Sequence, residues 1–193
     1  MIVLASGSPR RRELLAQVGV DFAVQVFEID ESVLPNESPV AYVERLAQQK
    51  AQAAVPHLPA QTIVIAADTT VTIDGNILGK PVDAEDAYRM WRLLSGRTHQ
   101  VMTGVAVACG DQLRYSHVVT QVEMLALTEQ QMQAYWQTGE PLGKAGGYAI
   151  QGLGAAFIPA IRGSYSNVVG LPLVETLDLL QQIQHDEPHN QEC

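Results

Sequence analysis

Asp68 sits at the end of an apolar run, Thr62-Ile63-Val64-Ile65-Ala66-Ala67, and the run resumes beyond it as Thr69-Thr70-Val71-Thr72-Ile73. A carboxylate in such a strand works against propensity, and burying it is costly unless a cation or hydrogen bonds hold it. Basic side chains gather at four other places: Ser6-Gly7-Ser8-Pro9-Arg10-Arg11-Arg12, Lys50, Gly79-Lys80-Pro81 and Gly143-Lys144-Ala145-Gly146-Gly147. Cations that neutralise phosphates, with a carboxylate that holds a metal or activates water, are the parts of a polyphosphate site. The alternative for Asp68 is a structural carboxylate satisfied by neighbouring N–H groups. No GxxxxGKS/T loop is present, and no GxGxxG follows a strand. There is also no GxSxG with a His/Asp partner set, so serine-hydrolase chemistry is not indicated. His185, His189 and Cys193 have the four-residue spacing that can gather a metal on a helix, but Pro188 interrupts it.

The charge balance makes those cations informative. Twelve Lys and Arg face 21 Asp and Glu in 193 residues, for a net charge of -9. The only lysines are Lys50, Lys80 and Lys144. Such an acidic chain is a poor partner for a nucleic-acid backbone or an anionic membrane. A hydrophobic content of 47% with mean hydropathy +0.02 fits a soluble globular protein. No apolar run approaches the roughly 18 residues of a membrane span. The chain opens directly on a strand, so no signal peptide is expected. Cys109 and Cys193 form neither a CxxC pair nor a disulfide framework, which makes the cytoplasm the expected compartment.

The elements that must position these residues follow from periodicity and caps. Ile2-Val3-Leu4 reads as a strand, and residues 13–18 as a helix stopped by Gly19. Ser8 suits the N-cap and Pro9 the first helical position. The N-terminus of that helix favours an anion, phosphate above others. Arginines in a first turn oppose the dipole, so they need another reason to be there. A strand is expected over 23–27, then an acidic turn-rich segment over 30–37. Ser38-Pro39 opens a helix to about residue 55, with Val40, Val43, Leu46, Ala47, Ala51 and Ala54 on one arc and Lys50 inside it. That lysine either snorkels or points into a polar cavity.

Alternation puts Asp68 with Thr70 and Thr72 on a face lining a cleft, opposite Ile65, Val71 and Ile73 in the core. Asp83 can cap a helix over 84–94, ended by Ser95-Gly96. Strands follow over 98–108 and 112–124, joined at Gly110-Asp111. Thr128 and Gln131 form a capping box for a helix to Thr138. A strand over 156–161 and a helix over 173–184, with Leu173, Leu177 and Leu180 inward, complete the chain. Strands and helices interleave without repeat or linker, which predicts a mixed α/β protein. A single domain is expected over 1–184, with a flexible tail over 185–193. Taken together, the residues describe a protein that binds a phosphorylated small molecule and hydrolyses it.

At these same positions the sequence resembles the Maf family of nucleotide pyrophosphatases. The matches run nearly end to end. They are Ala5-Ser6-Gly7-Ser8-Pro9-Arg10-Arg11, Asp30-Glu31, Leu46-Ala47 with Lys50-Ala51, Ala67-Asp68-Thr69, Gly79-Lys80-Pro81 and Leu94-Ser95-Gly96 with Thr98-His99. Further along come Lys144-Ala145-Gly146, Ala149-Ile150-Gln151-Gly152 and Val169-Gly170-Leu171-Pro172-Leu173. The resemblance implies an elongated α/β fold of the Maf-like, inosine triphosphatase-like kind, with a mixed twisted sheet, flanking helices and a cleft between two lobes. It implies hydrolysis of a nucleoside triphosphate to the monophosphate and pyrophosphate, dependent on a divalent cation (Mg2+ or Mn2+), in a homodimer. The family's proton acceptor falls on Asp68, and its base-specificity positions fall on Arg10, Thr69 and Gln151. On this reading Glu31 and Asp68 hold the metal, while Ser6, Ser8, Arg11, Lys50 and Lys80 grip the triphosphate and Arg12 is solvated.

The branches of that family differ at the three specificity positions. One acting on 7-methyl-GTP carries an aromatic residue, a Gln and a Glu there. A Glu accepts from both guanine donors, whereas the Gln151 amide can accept from N3–H of uracil or thymine and donate to a carbonyl. An aromatic ring suits a cationic methylated base, and Arg10 would repel it. All three positions therefore favour dTTP and UTP. Gly143 stands where the pattern carries an Asp, with Glu140 as the carboxylate that could replace it. Strict alternation also sends Thr69 away from Asp68, so both can line one pocket only where the strand ends or twists. The family's link to inhibition of septum formation supplies an alternative, a nucleotide-binding regulator that needs the phosphate grip but not Asp68.

Overall fold

The structure is a computed structural model and describes residues 1–185. The strands are β1 (Ile2–Leu4), β2 (Ala23–Val24), β3 (Ile63–Ile73), β4 (Asn76–Leu78), β5 (Thr98–Cys109), β6 (Gln112–Glu123) and β7 (Ala160–Arg162). The helices are α1 (Pro9–Gln17), α2 (Pro39–Ala54), α3 (Ala84–Leu94), α4 (Glu129–Gln137), α5 (Tyr165–Val169) and α6 (Leu173–His185). Six strands lie in the order β2-β1-β3-β5-β6-β7, and β4 joins β3 off that path. β1 is parallel to β2 and β3, and every other pairing is antiparallel. This is the mixed α/β sheet flanked by helices that the sequence predicts. Among the described residues no helix is long and apolar enough to cross a membrane.

β3 is the spine, and helices cover both of its faces. One face carries Val64, Ala66 and, from β5, Ala106 and Ala108, packed under Ala47, Ala51 and Ala54 of α2. Small residues on both sides let α2 lie close to the sheet. Gly104 makes the closest approach possible, because a Cβ there would fall 2.2 Å from the Val43 carbonyl oxygen. The other face carries two apolar clusters. Ile63, Ile65 and Ala67 pack with Leu14 and Leu15 of α1 and Leu179, Leu180 and Ile183 of α6. Val71 and Ile73 pack with Met90, Trp91 and Leu94 of α3 and with Tyr135 of α4. Thr69 falls between these clusters.

Several local expectations are corrected. β2 is two residues long rather than five. The strand expected from residue 156 begins at Ala160, because Leu153–Phe157 forms a 3-10 turn. Glu140 draws the N–H groups of Leu153 and Gly154 into that turn at 2.8 and 2.9 Å, removing them from any ladder. Ser164 caps the short α5, its hydroxyl accepting from the Asn167 N–H. In α6 Leu173 and Leu180 pack inward as expected, but with Thr176, Leu179 and Ile183 rather than Leu177, which is exposed. Thr70 and Thr72 are buried and outside the cavity lining, so the polar face of β3 opens to a cleft only at Asp68. Of the expected tail only His185 lies within the described residues. His189 and Cys193 lie outside them.

Candidate active site

The site occupies a break in the edge of the sheet. β1 pairs with β3 only as far as Ile65, and β4 takes up the same edge only at Val71. Between them the edge has no strand partner among the described residues, while the opposite edge pairs with β5 throughout. Side chains from both faces of β3 therefore reach one opening. This resolves the conflict over Thr69: β3 neither ends nor breaks, and the cavity straddles its free edge. The cavity is about 410 Å3, and every expected site residue lines it: Ser6, Ser8, Arg10, Arg11, Glu31, Lys50, Asp68, Thr69, Lys80 and Gln151. Arg12 is exposed and lies outside it.

On the α2 face the site is ionic. Lys50 Nζ lies 2.6 Å from Asp68 Oδ1 and 2.7 Å from Glu31 Oε1, so the lysine points into the cavity rather than snorkelling. No hydrogen bond reaches Asp68 Oδ2 among the described residues, which leaves that oxygen for a water. Lys80 Nζ stands 3.5 Å from Glu31 Oε2. Burial pushes the Glu31 carboxyl up, but the hydrogen bond and charge of Lys50, with Lys80 beyond, hold it below its ordinary range. Arg45 and Tyr42 of α2 tie down the loop that carries Glu31. Arg45 binds the Glu37 carboxylate at 2.5 Å and the Ser32 carbonyl at 2.9 Å, and the Tyr42 hydroxyl donates to the Glu31 carbonyl at 3.1 Å.

On the other face the site is built from hydrogen bonds. Arg11 explains its own place against the helix dipole. Its Nε donates to Gly170 O at 2.7 Å, Nη1 to Ala67 O at 2.7 Å and Ser6 Oγ at 3.2 Å, and Nη2 to Thr69 Oγ1 at 3.0 Å. Ile65 O accepts from the Ala5 N–H beyond β1. Ala67 O, two residues on, faces the same edge, so the guanidinium stands in for the missing strand. Four of the five N–H donors are thus committed, and one is left over. Burial lowers the Arg11 pKa from its ordinary value, and Asp68 opposes that shift.

Ser8 is the N-cap of α1 but makes no side-chain cap bond, so its hydroxyl is free to face the cavity. Ser6 Oγ accepts from Ser8 N and Arg11 Nη1 and keeps its own proton to donate. Arg10 Nε donates to Val169 O at 3.3 Å. Gln151 is exposed at the rim, with no side-chain partner among the described residues.

Glu140 does not replace the Asp missing at position 143. Its carboxylate is occupied by the Tyr135 hydroxyl and the Leu153 and Gly154 N–H groups, outside the cavity. Gly143 lines the cavity in a left-handed conformation with open space beside it. Lys144 also lines it, donates to the Glu140 carbonyl, and has its pKa lowered first by burial and then by Arg10. Sequence reasoning placed the Lys144 loop among the cations of the site without giving Lys144 a role, and it left out Arg45 and Gly104. Its signal for Gly104 was a lone glycine inside a strand, which marks close approach of another backbone.

The family described as Maf-like protein matches residues 1–183. A protein of Acinetobacter baylyi named dTTP/UTP pyrophosphatase is 53% identical over 180 residues, covering 93% of this chain and 98% of its own. One of the same name from Vibrio cholerae serotype O1 is 52% identical over 181 residues, covering 94% and 97%. Among solved structures, the Ham1 protein of Staphylococcus aureus superposes with a TM-score of 0.51 at 14% identity, covering 96% of this chain and 98% of its own. That likeness concerns the fold alone.

Proposed function

The chain belongs to the Maf-like protein family, and from that premise we propose that it is a nucleoside triphosphate pyrophosphatase acting on dTTP and UTP. The observation that carries this is a single cavity joining Asp68, held by Lys50 at 2.6 Å, to Arg10, Thr69 and Gln151. Relatives at about half identity carry that activity in their names. In the proposed reaction Asp68 Oδ2 takes a proton from water, and the water oxygen bonds to the α-phosphorus. The bond to the bridging oxygen breaks, and pyrophosphate leaves. Lys50 holds Asp68 in place at 2.6 Å, while Ser6, Ser8, Lys80 and the remaining Arg11 N–H hold the phosphate oxygens.

The residues fit a divalent cation such as Mg2+ or Mn2+. Glu31 and Asp68 line one cavity and each gives one oxygen to Lys50, so the second oxygens, Glu31 Oε2 and Asp68 Oδ2, are the hard donors that would hold the ion. No group of three or more ligating side chains exists among the described residues. An ion held here would have these two carboxylates and be completed by water and phosphate oxygens. When bound, the ion offsets charge on the triphosphate. The reading includes a cytoplasmic homodimer, the oligomeric state being open to light scattering. The test of function is release of pyrophosphate from dTTP, UTP, CTP and 7-methyl-GTP with Mg2+ or Mn2+. Monophosphate and pyrophosphate are expected from dTTP and UTP. Saturable binding without turnover would replace the enzyme by a nucleotide-binding regulator.

A further inference from the structure

We infer that Thr103, buried on the neighbouring strand behind the cavity, is a positioning residue that makes Thr69 a hydrogen-bond acceptor and so selects uracil and thymine over cytosine. The inference rests on the reading of the site as a pyrimidine nucleotide pyrophosphatase. Thr69 and Thr103 are register partners on β3 and β5, with their hydroxyl oxygens 2.9 Å apart. Thr103 is fully buried.

Two fixed groups decide which hydroxyl donates. Arg11 Nη2, 3.0 Å from Thr69 Oγ1, can only donate. The Asn167 carbonyl, 3.1 Å from Thr103 Oγ1, can only accept. The run Arg11 to Thr69 to Thr103 to Asn167 O therefore uses every proton in a bond of ordinary length. The reverse polarity would strip Asn167 O of the Thr103 proton. It would also turn the Thr69 proton toward Gly170 O, which is 3.4 Å away and already holds Arg11 Nε at 2.7 Å. Asn167 is itself buried and anchored, its Nδ2 donating to Val101 O at 3.0 Å and to Thr120 Oγ1 at 2.8 Å.

With one proton given to Thr103 and one lone pair taken by Arg11, Thr69 has only a lone pair to offer the cavity. Uracil and thymine present an N3–H to such an acceptor, whereas cytosine presents a bare N3 whose lone pair repels it. Gln151 cannot make this distinction alone, because a rim amide without a protein partner can turn either its oxygen or its nitrogen inward.

The test is kcat/KM for UTP and CTP, read as pyrophosphate release, in the native protein, Thr103→Val and Thr103→Ser. Valine removes the acceptor of the Thr69 proton; Gly170 O, 3.4 Å away and already holding Arg11 Nε, is a poor substitute, so the proton turns into the cavity and the UTP-over-CTP ratio should fall about tenfold or more. Serine restores the hydroxyl and the ratio. A purely structural role would lower both substrates together. An unchanged ratio in an active Thr103→Val protein overturns the inference. Should Thr103→Val not fold, the preference must survive in Gln151→Ala, and its collapse there would assign selection to Gln151 instead. A native protein that hydrolyses neither UTP nor dTTP defeats the functional reading first and this inference with it.

Discussion

The two faces of β3 meet at one opening and are built on opposite principles. On the α2 face, Asp68, Lys50 and Glu31 form an ionic group in which one ammonium faces two carboxylates, at 2.6 and 2.7 Å. On the other face, Thr69, Thr103 and Asn167 form a neutral chain in which each proton has one place to go. A triphosphate carries charge, and charge is what compensated cations and carboxylates are arranged to trade. A neutral base carries only a pattern of donors and acceptors, so it is read by groups whose polarity is fixed. Placing both at a break in the edge of one strand puts the two tasks a single residue apart.

The largest effect that could break this division is at Asp68. Asp68→Asn removes the proton acceptor while keeping the shape, and pyrophosphate release should fall by about a thousandfold, or roughly 4 kcal/mol of barrier. Nucleotide binding and the UTP-over-CTP preference should persist. Retained turnover would remove Asp68 from the mechanism, and a lost preference would mean that the two faces are not separate.

The next effect is one of stability and belongs to the neutral face, where His99 precedes Val101 and Thr103 along β5. His99 is 2% exposed, its Nε2 lies 2.6 Å from the Tyr148 hydroxyl, and burial lowers its pKa from 6.5 to about 4. Between those values the unfolded chain binds a proton that the folded chain refuses. Stability is therefore fully present above the upper value and is lost as pH falls toward the lower one, by about 3 kcal/mol. His99→Gln keeps a polar partner for Tyr148 without titrating, so it should flatten this loss in urea unfolding at pH 7, 5.5 and 4. An equal loss in the variant would place the acid sensitivity elsewhere.

The smallest expected change tests how the ionic face is seated. In Gly104→Ala the new Cβ meets the Val43 carbonyl at 2.2 Å, so α2 must lift, at about 1–3 kcal/mol of stability. Lys50 would lift with it, and turnover should fall without a change in base preference. A stable, fully active variant would show that the seat of α2 does not set the Lys50–Asp68 contact.

Much of this was legible in the chain. Caps at Ser38, Asp83 and Thr128 announce α2, α3 and α4, and each accepts the expected backbone N–H. Every residue named for the site lines the cavity. Some features were not legible because they depend on partners distant in sequence. The 3-10 turn at Leu153–Phe157 is imposed by Glu140, whose carboxylate takes two of its N–H groups. In α6, Leu173 and Leu180 face the cluster as their spacing suggests, whereas Leu177 is displaced by Thr176, Leu179 and Ile183.

By itself the sequence determined the chemical inventory: an aspartate in an apolar strand, three lysines, a serine- and arginine-rich turn, and a glutamine late in the chain. Residue type and local pattern suffice for that, because caps, periodicity and charge are properties of neighbours. Only the tertiary structure decided what each group is free to do. The edge of β3 is open because β1 stops at Ile65 and β4 starts at Val71, so residues of opposite alternation share one cavity. Arg11 commits four of its five donors around that edge, one of them to the exposed Ala67 carbonyl, and Thr69 receives its polarity from an asparagine carbonyl two hydrogen bonds away. Those are matters of which atoms lie opposite which, and only folding sets them.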